Sequence, residues 1–302
     1  MEHASSERSA ASGVGAALRM IGAPIIPHSF SVTVDTPYSG TAMTDLIRYE
    51  TDGAVGIVTI NRPEKRNAMT YAMLGEFLER VAQAGADAAT RAVIITGAPG
   101  AFCAGTDLAD LATVPGAQRG LRGNAEERGR WWPIVECPKP VIGAIDGPAV
   151  GMGAEFSSQC DIRIATPNAR FAWNFVHRGL VPDTGAGTWL LPRLIGVQRA
   201  FKLLYTGDFL TAEDALDIGY VDQIVPSSTL HLTALELARK MAEASPFSQQ
   251  RIKAMVYEGL GSDVAEHMQR HTKALAECFK SNDHKEGVAS FLERRPARFT
   301  GT

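Results

Sequence analysis

The sequence predicts an α/β fold with a helical C-terminal region, and three observations point there. Short apolar runs at Val55–Ile60, 93–96 and Val141–Ile145 have the length and composition of buried strands. Each is followed by a turn rich in Gly, Pro or Asn and then by a stretch of helical periodicity, the alternation of an α/β chain. From about residue 228 to 293 the pattern is helical almost throughout, with no strand signal.

Residues 1–42 are small and polar, with Ser5, Ser6, Ser9 and Ser12, and read as a disordered leader; Met43 offers a second start. A core over 43–245 and a helical C-terminal region over 246–302 follow. In the core, Thr70 opens a helix whose Met73, Leu74, Phe77, Leu78 and Val81 form one stripe. Residues 101–108 read as a strand end and a Gly turn running into a helix. Further short strands are expected at 162–165 and 170–173, and a long turn at 179–187. Thr211-Ala212-Glu213-Asp214 has the form of a capping box with Asp in place of Glu, and Gly219 would close that short helix.

The 302 residues are 45% hydrophobic and 21% charged with a net charge of -3, which gives no electrostatic reason to expect nucleic acid or an anionic membrane as partner. No apolar run approaches the ~20 residues that span a bilayer. Cys103, Cys137, Cys160 and Cys278 show neither a C-x-x-C pair nor zinc spacing, which favours a reducing compartment, the cytoplasm, and no structural metal. His267 and His271 stand i, i+4 on a helix but lack a third ligand, so no metal site is expected. Trp131, Trp132, Trp173 and Trp189 read as core residues or as walls of a ligand pocket.

Residues 140–161 carry the strongest chemical signal. A buried strand ends at Ile145, and a turn containing Gly147 and Gly151 leads into a helix opening near Met152. The first N–H groups of a helix lack partners and carry the positive end of its dipole, so an oxyanion can bind there. Glu155 sits one turn inside. A carboxyl beside an oxyanion site is the minimal equipment for moving protons next to a thioester or other carbonyl.

Four segments in order resemble the crotonase superfamily, the enoyl-CoA hydratases and isomerases. They are Ile60-Asn61-Arg62-Pro63-Glu64-Lys65-Arg66-Asn67-Ala68-Met69, Ala101-Phe102-Cys103-Ala104-Gly105-Thr106-Asp107-Leu108, the stretch ending in Cys160-Asp161, and Gly179-Leu180-Val181-Pro182-Asp183. The run from Lys285 to Pro296 resembles that family's ending. The resemblance implies a spiral of ββα units, a helical C-terminal region that builds a homotrimer or dimer of trimers, and an acyl-CoA substrate of the kind met in fatty acid metabolism. It implies no cofactor beyond the coenzyme A of the substrate. It also implies an oxyanion hole from the N–H groups of Thr106 and Met152, and CoA contacts from Arg62, Lys65, Arg66, Ala68, Ala104, Asp107, Leu108, Phe291 and Arg294.

Hydratases of the family use two glutamates. Glu155 matches the first, but the second falls on Phe175, whose ring exchanges no protons. Asp183 matches the place where several of the family's isomerases, including those acting on acyl-CoA products of phenylacetate breakdown, carry an acid. The resemblance therefore implies double-bond isomerisation of an enoyl-CoA, with Asp183, Glu155 or both moving the proton. Alternatives are an enoyl-CoA hydratase, a lyase, with an altered acid/base pair, and a catalytically silent acyl-CoA-binding trimer. Asp183 also reads as a plain turn residue, and His177 as a substitute base.

Overall fold

The computed structural model describes residues 45–113 and 132–302; the expected leader over 1–42 and Trp131 lie outside the described residues. Strand β1 (Ile47–Asp52) turns back on β2 (Val55–Ile60) as an antiparallel pair with Ile47 opposite Ile60. The sequence reading passed over β1 because only Ile47 and Tyr49 face inward, alternating with Arg48 and Glu50 on an edge strand. A 3-10 turn at Pro63–Lys65 then leads to α1 (Tyr71–Ala86), where the Thr70 hydroxyl accepts the Met73 N–H at 3.2 Å as N-cap.

The chain continues through β3 (Ala92–Gly97), α2 (Leu108–Thr113), α3 (Pro133–Glu136), β4 (Val141–Ile145), β5 (Pro148–Val150) and α4 (Met152–Gln159). Next come β6 (Ile162–Ala165), β7 (Arg170–Ala172), the 3-10 segment Asn174–Arg178, α5 (Ala186–Trp189), α6 (Leu191–Ile195) and α7 (Val197–Thr206). Then follow β8 (Leu210–Thr211), α8 (Ala212–Asp217) and β9 (Gln223–Ile224). Thr211 caps α8 as expected, accepting the Asp214 N–H at 3.1 Å and donating to the Asp214 carboxylate at 2.9 Å. Four helices end the chain: α9 (Leu230–Ala242), α10 (Pro246–Gly259), α11 (Val264–Lys280) and α12 (Asn282–Glu293).

The main sheet has the order β1-β2-β3-β4-β6-β9, parallel from β2 onward, and a smaller sheet has the order β5-β7-β8. Parallel strands need crossovers, and these place helices on both faces of the main sheet. On one face Val58, Ile60, Val93, Ile95 and Val141 pack under Met73, Phe77 and Val81 of α1 and Phe156 of α4. The Phe77 and Phe156 rings stack at 4.7 Å and tie α1 to α4. On the other face Val55, Ile57, Ile94, Ile142 and Ile164 pack against Leu230, Ala234, Leu235 and Ala238 of α9. The first helix of the tail therefore forms the second layer of the sheet. Strands buried on both faces explain why β2, β3 and β4 read as unbroken apolar runs.

A polar knot fastens α10 to this core. Asp161, two residues past α4, accepts the Val141 N–H at 2.7 Å, Lys253 Nζ at 2.9 Å and the Tyr257 hydroxyl at 2.9 Å. Lys253 also donates to the carbonyls of Ile134 and Lys139, both at 3.0 Å. With the Lys253 side chain 9% exposed, its removal strands a partly buried carboxylate and two carbonyls. Lys253→Met should therefore lower unfolding free energy by about 3 kcal/mol in urea titrations. A loss below about 0.5 kcal/mol would mean that the knot is ornamental.

Candidate active site

The site begins with two backbone segments pressed together. Val150 N–H donates to the Cys103 carbonyl at 2.9 Å, and Cys103 pairs with Ala149 as a parallel bridge. A Cβ on Gly153 would overlap the Cys103 carbonyl, and one on Gly105 would lie 2.8 Å from the Val150 carbonyl oxygen and 3.7 Å from the Met152 nitrogen. Gly105 also holds a φ of +97°, open to glycine alone. These contacts set the Gly105-Thr106 peptide beside the first amide of α4.

The neighbouring hydrogen bonds fix where the Thr106 amide points. Met69 N–H donates to the Gly105 carbonyl at 2.8 Å, and Asp107 N–H to the Met69 carbonyl at 2.7 Å. In an extended segment successive peptide groups point to opposite sides, so the Thr106 N–H faces away from Met69. Met152 is the first residue of α4, whose earliest intrahelical bond runs from the Glu155 N–H to the Gly151 carbonyl at 3.0 Å. Among the described residues neither the Thr106 nor the Met152 N–H has a partner.

Glu155 is fully buried on the first turn of α4. Its Oε2 accepts the Thr184 hydroxyl at 2.6 Å. Its Oε1 lies against Gly187, 2.4 Å from where a Cβ on that residue would stand, and has no hydrogen-bond partner among the described residues. Burial pushes its pKa from 4.5 up to about 8; the Thr184 hydroxyl opposes this and the charge of Asp183 adds to it. Asp183 lies on an exposed stretch of the loop before α5, yet its carboxyl is densely surrounded. Loss of hydration pushes it up to about 6, against the pull of its own and the Thr184 N–H groups. Dense surroundings with a path to water are what a proton-transferring acid at a cleft mouth needs. The Asp183 charge also acts on Cys103, whose buried thiol is pushed up to about 12, so the acid loop, α4 and the Cys103 segment meet at one place.

Phe175 is buried, its ring edge 3.9 Å from where a Cβ on Gly151 would stand, just ahead of Met152. It is an apolar wall at the mouth of α4. His177 Nε2 donates to the Thr206 carbonyl at 2.7 Å. Trp132 donates its indole N–H to the Thr184 carbonyl at 2.9 Å, and Trp173 lies fully buried against Tyr220 with ring centres 5.3 Å apart.

The expected CoA contacts divide. Lys65 and Arg66 are exposed. Arg62 is instead turned inward, paired with Asp107 at 2.8 Å and donating to the Ala68 carbonyl at 3.0 Å. Arg62 and Asp107 thus neutralise each other and brace the loop. Ala104 is half-buried, its N–H bonded to the Arg66 carbonyl at 3.0 Å, and Leu108 is exposed. Phe291 and Arg294 end α12 in the open; Phe291, 82% exposed, lines a groove of about 480 Å3 with Cys278, Asp283, Val288 and Phe299 that shares no residue with the Glu155 site.

Sequence reasoning missed two residues that build the site. Asn67, fully buried at a φ of +57°, donates to the Ala98 and Ala101 carbonyls at 2.9 and 2.7 Å and accepts the Arg62 N–H at 2.8 Å. Thr184 was read only as part of a turn. Its signal was adjacency to Asp183, because a hydroxyl beside an acid in a Gly-rich turn is placed to bond whatever the turn covers.

Among the described residues no three His, Cys, Asp or Glu gather as a metal site, and no helix is long and apolar enough to cross a membrane. The family model for enoyl-CoA hydratase/isomerase matches residues 50–302. A short-chain-enoyl-CoA hydratase of Clostridium acetobutylicum is 36% identical over 82% of this chain and 94% of its own length. A 1,2-epoxyphenylacetyl-CoA isomerase of Escherichia coli is 37% identical over 86% of this chain and 100% of its own. The solved enoyl-CoA hydratase of Bacillus anthracis superposes with a TM-score of 0.80 at 34% identity, over 85% of this chain and all of that one.

The buried acid makes stability depend on pH. Because folding raises the pKa of Glu155 from 4.5 to about 8, its contribution is fully present below about pH 4.5 and is lost as pH climbs through about 8. Glu155→Gln does not titrate. The melting temperature of the wild type relative to this variant should therefore fall between pH 5 and pH 9; a flat difference would show that the carboxyl is hydrated.

Proposed function

Since the chain belongs to the enoyl-CoA hydratase/isomerase family and has its crotonase fold, we propose that it moves the double bond of an enoyl-CoA. The observation that supports this reading is the pairing of Asp183, an acid with access to water, with the apolar ring of Phe175 at the mouth of α4. Hydration needs one carboxyl to activate water and another to serve Cα, whereas isomerisation needs only one that takes a proton and gives it back. Asp183 ionises near pH 6 and then removes a proton from C2 of a 3-enoyl thioester. The electron pair moves onto the thioester oxygen as a dienolate, held by the Thr106 and Met152 N–H groups. Return of the proton at C4 leaves the conjugated 2-enoyl thioester and restores the Asp183 carboxylate. Fixed donors of this kind contribute roughly 3–4 kcal/mol each to the charged intermediate.

Glu155 keeps its proton up to about pH 8, so a neutral carboxyl lies near the dienolate where a second negative charge would oppose it. The chemistry changes no oxidation state and calls for neither redox cofactor nor metal. Lys65 and Arg66 are the cations of the first loop free to meet CoA phosphates. The apolar side chains exposed on the C-terminal helices, among them Val256, Val264, Phe279, Phe291 and Leu292, support self-association as a trimer or dimer of trimers. Four unpaired cysteines suit a reducing compartment such as the cytoplasm.

The test follows the ultraviolet absorbance of the conjugated thioester. Given a 3-enoyl-CoA, the enzyme should raise that absorbance, and given a 2-enoyl-CoA it should lower it little; rapid loss with the second would mean hydration. Asp183→Asn should reduce kcat by at least about 100-fold with CoA-ester affinity retained. In kcat/KM the wild type should show an acid limb near pH 6, rising as Asp183 ionises, and an alkaline limb near pH 8 as Glu155 loses its proton. Undiminished turnover in Asp183→Asn would overturn the assignment.

A further inference from the structure

We propose that Thr184 is a positioning residue that holds the Glu155 carboxyl with its side chain. Its hydroxyl accepts the Ala186 N–H at 3.3 Å and lies 2.6 Å from Glu155 Oε2, to which it donates when that carboxyl is charged. Its carbonyl accepts the Trp132 indole at 2.9 Å, which ties the acid loop to the start of α3.

While Glu155 is charged the hydroxyl gives its one proton to Oε2, and when Glu155 is neutral the same contact runs from the Oε2 proton to the hydroxyl oxygen. Oε1 lies 2.4 Å from where a Gly187 Cβ would stand and has no hydrogen-bond partner among the described residues. Thr184 is thus the side chain that fixes where the carboxyl points. The titratable and charged groups on the elements packed against α4 are Glu136 of α3, Tyr71, Glu76, Glu79 and Arg80 of α1, Cys103, Arg163, Tyr220 and, on the acid loop, Asp183; β5 and α5 carry none. Of these charged groups only Asp183 shifts the titration of Glu155.

This inference rests on the proposed two-acid site but is separable from the reaction assigned to it. The experiment compares the full chain with Thr184→Val, which keeps the shape and deletes the hydroxyl, Thr184→Ala, which deletes it without added bulk, and Thr184→Ser, which restores it. Turnover of 3-enoyl-CoA is followed from pH 5 to 9.5, and the Glu155 carboxyl is titrated by 13C NMR. Without the hydroxyl the charged form of Glu155 loses its donor, so its titration and the alkaline limb should move up by about one pH unit or more. The acid limb of Asp183 should hold near pH 6, since the deleted hydroxyl bonds Glu155 and not Asp183. We expect kcat to fall about 10-fold or more with KM changed less than about 3-fold, and Thr184→Ser to recover both kcat and limb. An unmoved Glu155 titration in Thr184→Val and Thr184→Ala, or a Thr184→Ser variant as impaired as Thr184→Val, overturns the inference. If the wild type shows no isomerase activity, the reaction assignment fails, and the NMR titration alone decides the role of Thr184.

Discussion

Everything at the site depends on two stretches of backbone touching without side chains between them. The segment at Cys103–Thr106 lies directly on the turn that enters α4, so close that a methyl group on Gly153 would overlap the Cys103 carbonyl. Only this approach sets the amide after Gly105 beside the first amide of the helix. The contact is backbone to backbone, so it cannot relax by changing a rotamer, and its donors stand ready before any ligand arrives. The packing around it serves that end: the stacked rings of Phe77 and Phe156 hold α4 to α1, and Asn67 pins the first loop to the turn after β3.

On this rigid support sits a destabilising group. A carboxyl with no exposed surface and a single close hydroxyl partner is held in its neutral form by its surroundings, and the fold is less stable for it above neutral pH. Asp183 experiences the same push to a lesser degree because its loop reaches water. Two acids of one kind are thereby separated into a proton holder and a proton acceptor by depth alone, with Thr184 bonded to the deeper one.

Much of the architecture was legible in the sequence. The apolar runs of β2, β3 and β4, the capping hydroxyls of Thr70 and Thr211 and the helix opening at Met152 all announce themselves through local chemistry, and the ordered motifs around Asn67, Gly105 and Asp161 carried the family resemblance. What escaped was non-local or too short to show a period. Strand β5 is three residues inside a Gly-Pro turn, and β1 shows its alternation on one side only. The bonds of Thr184 to Glu155 and of Trp132 to Thr184 join residues 29 and 52 positions apart, which no spacing reveals. Arg62 illustrates the opposite failure. Its charge was visible, but its consumption by Asp107, 45 residues on, was not.

The fastening of the tail has a consequence for how the protein is made. Arg91, at the threshold of β3, donates to the Phe299 carbonyl at 2.5 Å across 208 residues, and the Asn282 N–H reaches the carbonyl of Thr302 at 2.7 Å. Asp161 waits 92 residues for Lys253. The early strands can pair as they form, but one face of the central sheet stays open until α9, far along the chain, packs over it. Closure of so many long loops makes for slow folding, with apolar strand faces uncovered meanwhile. The greatest aggregation hazard therefore lies in the interval before α9 settles on β2, β3 and β4.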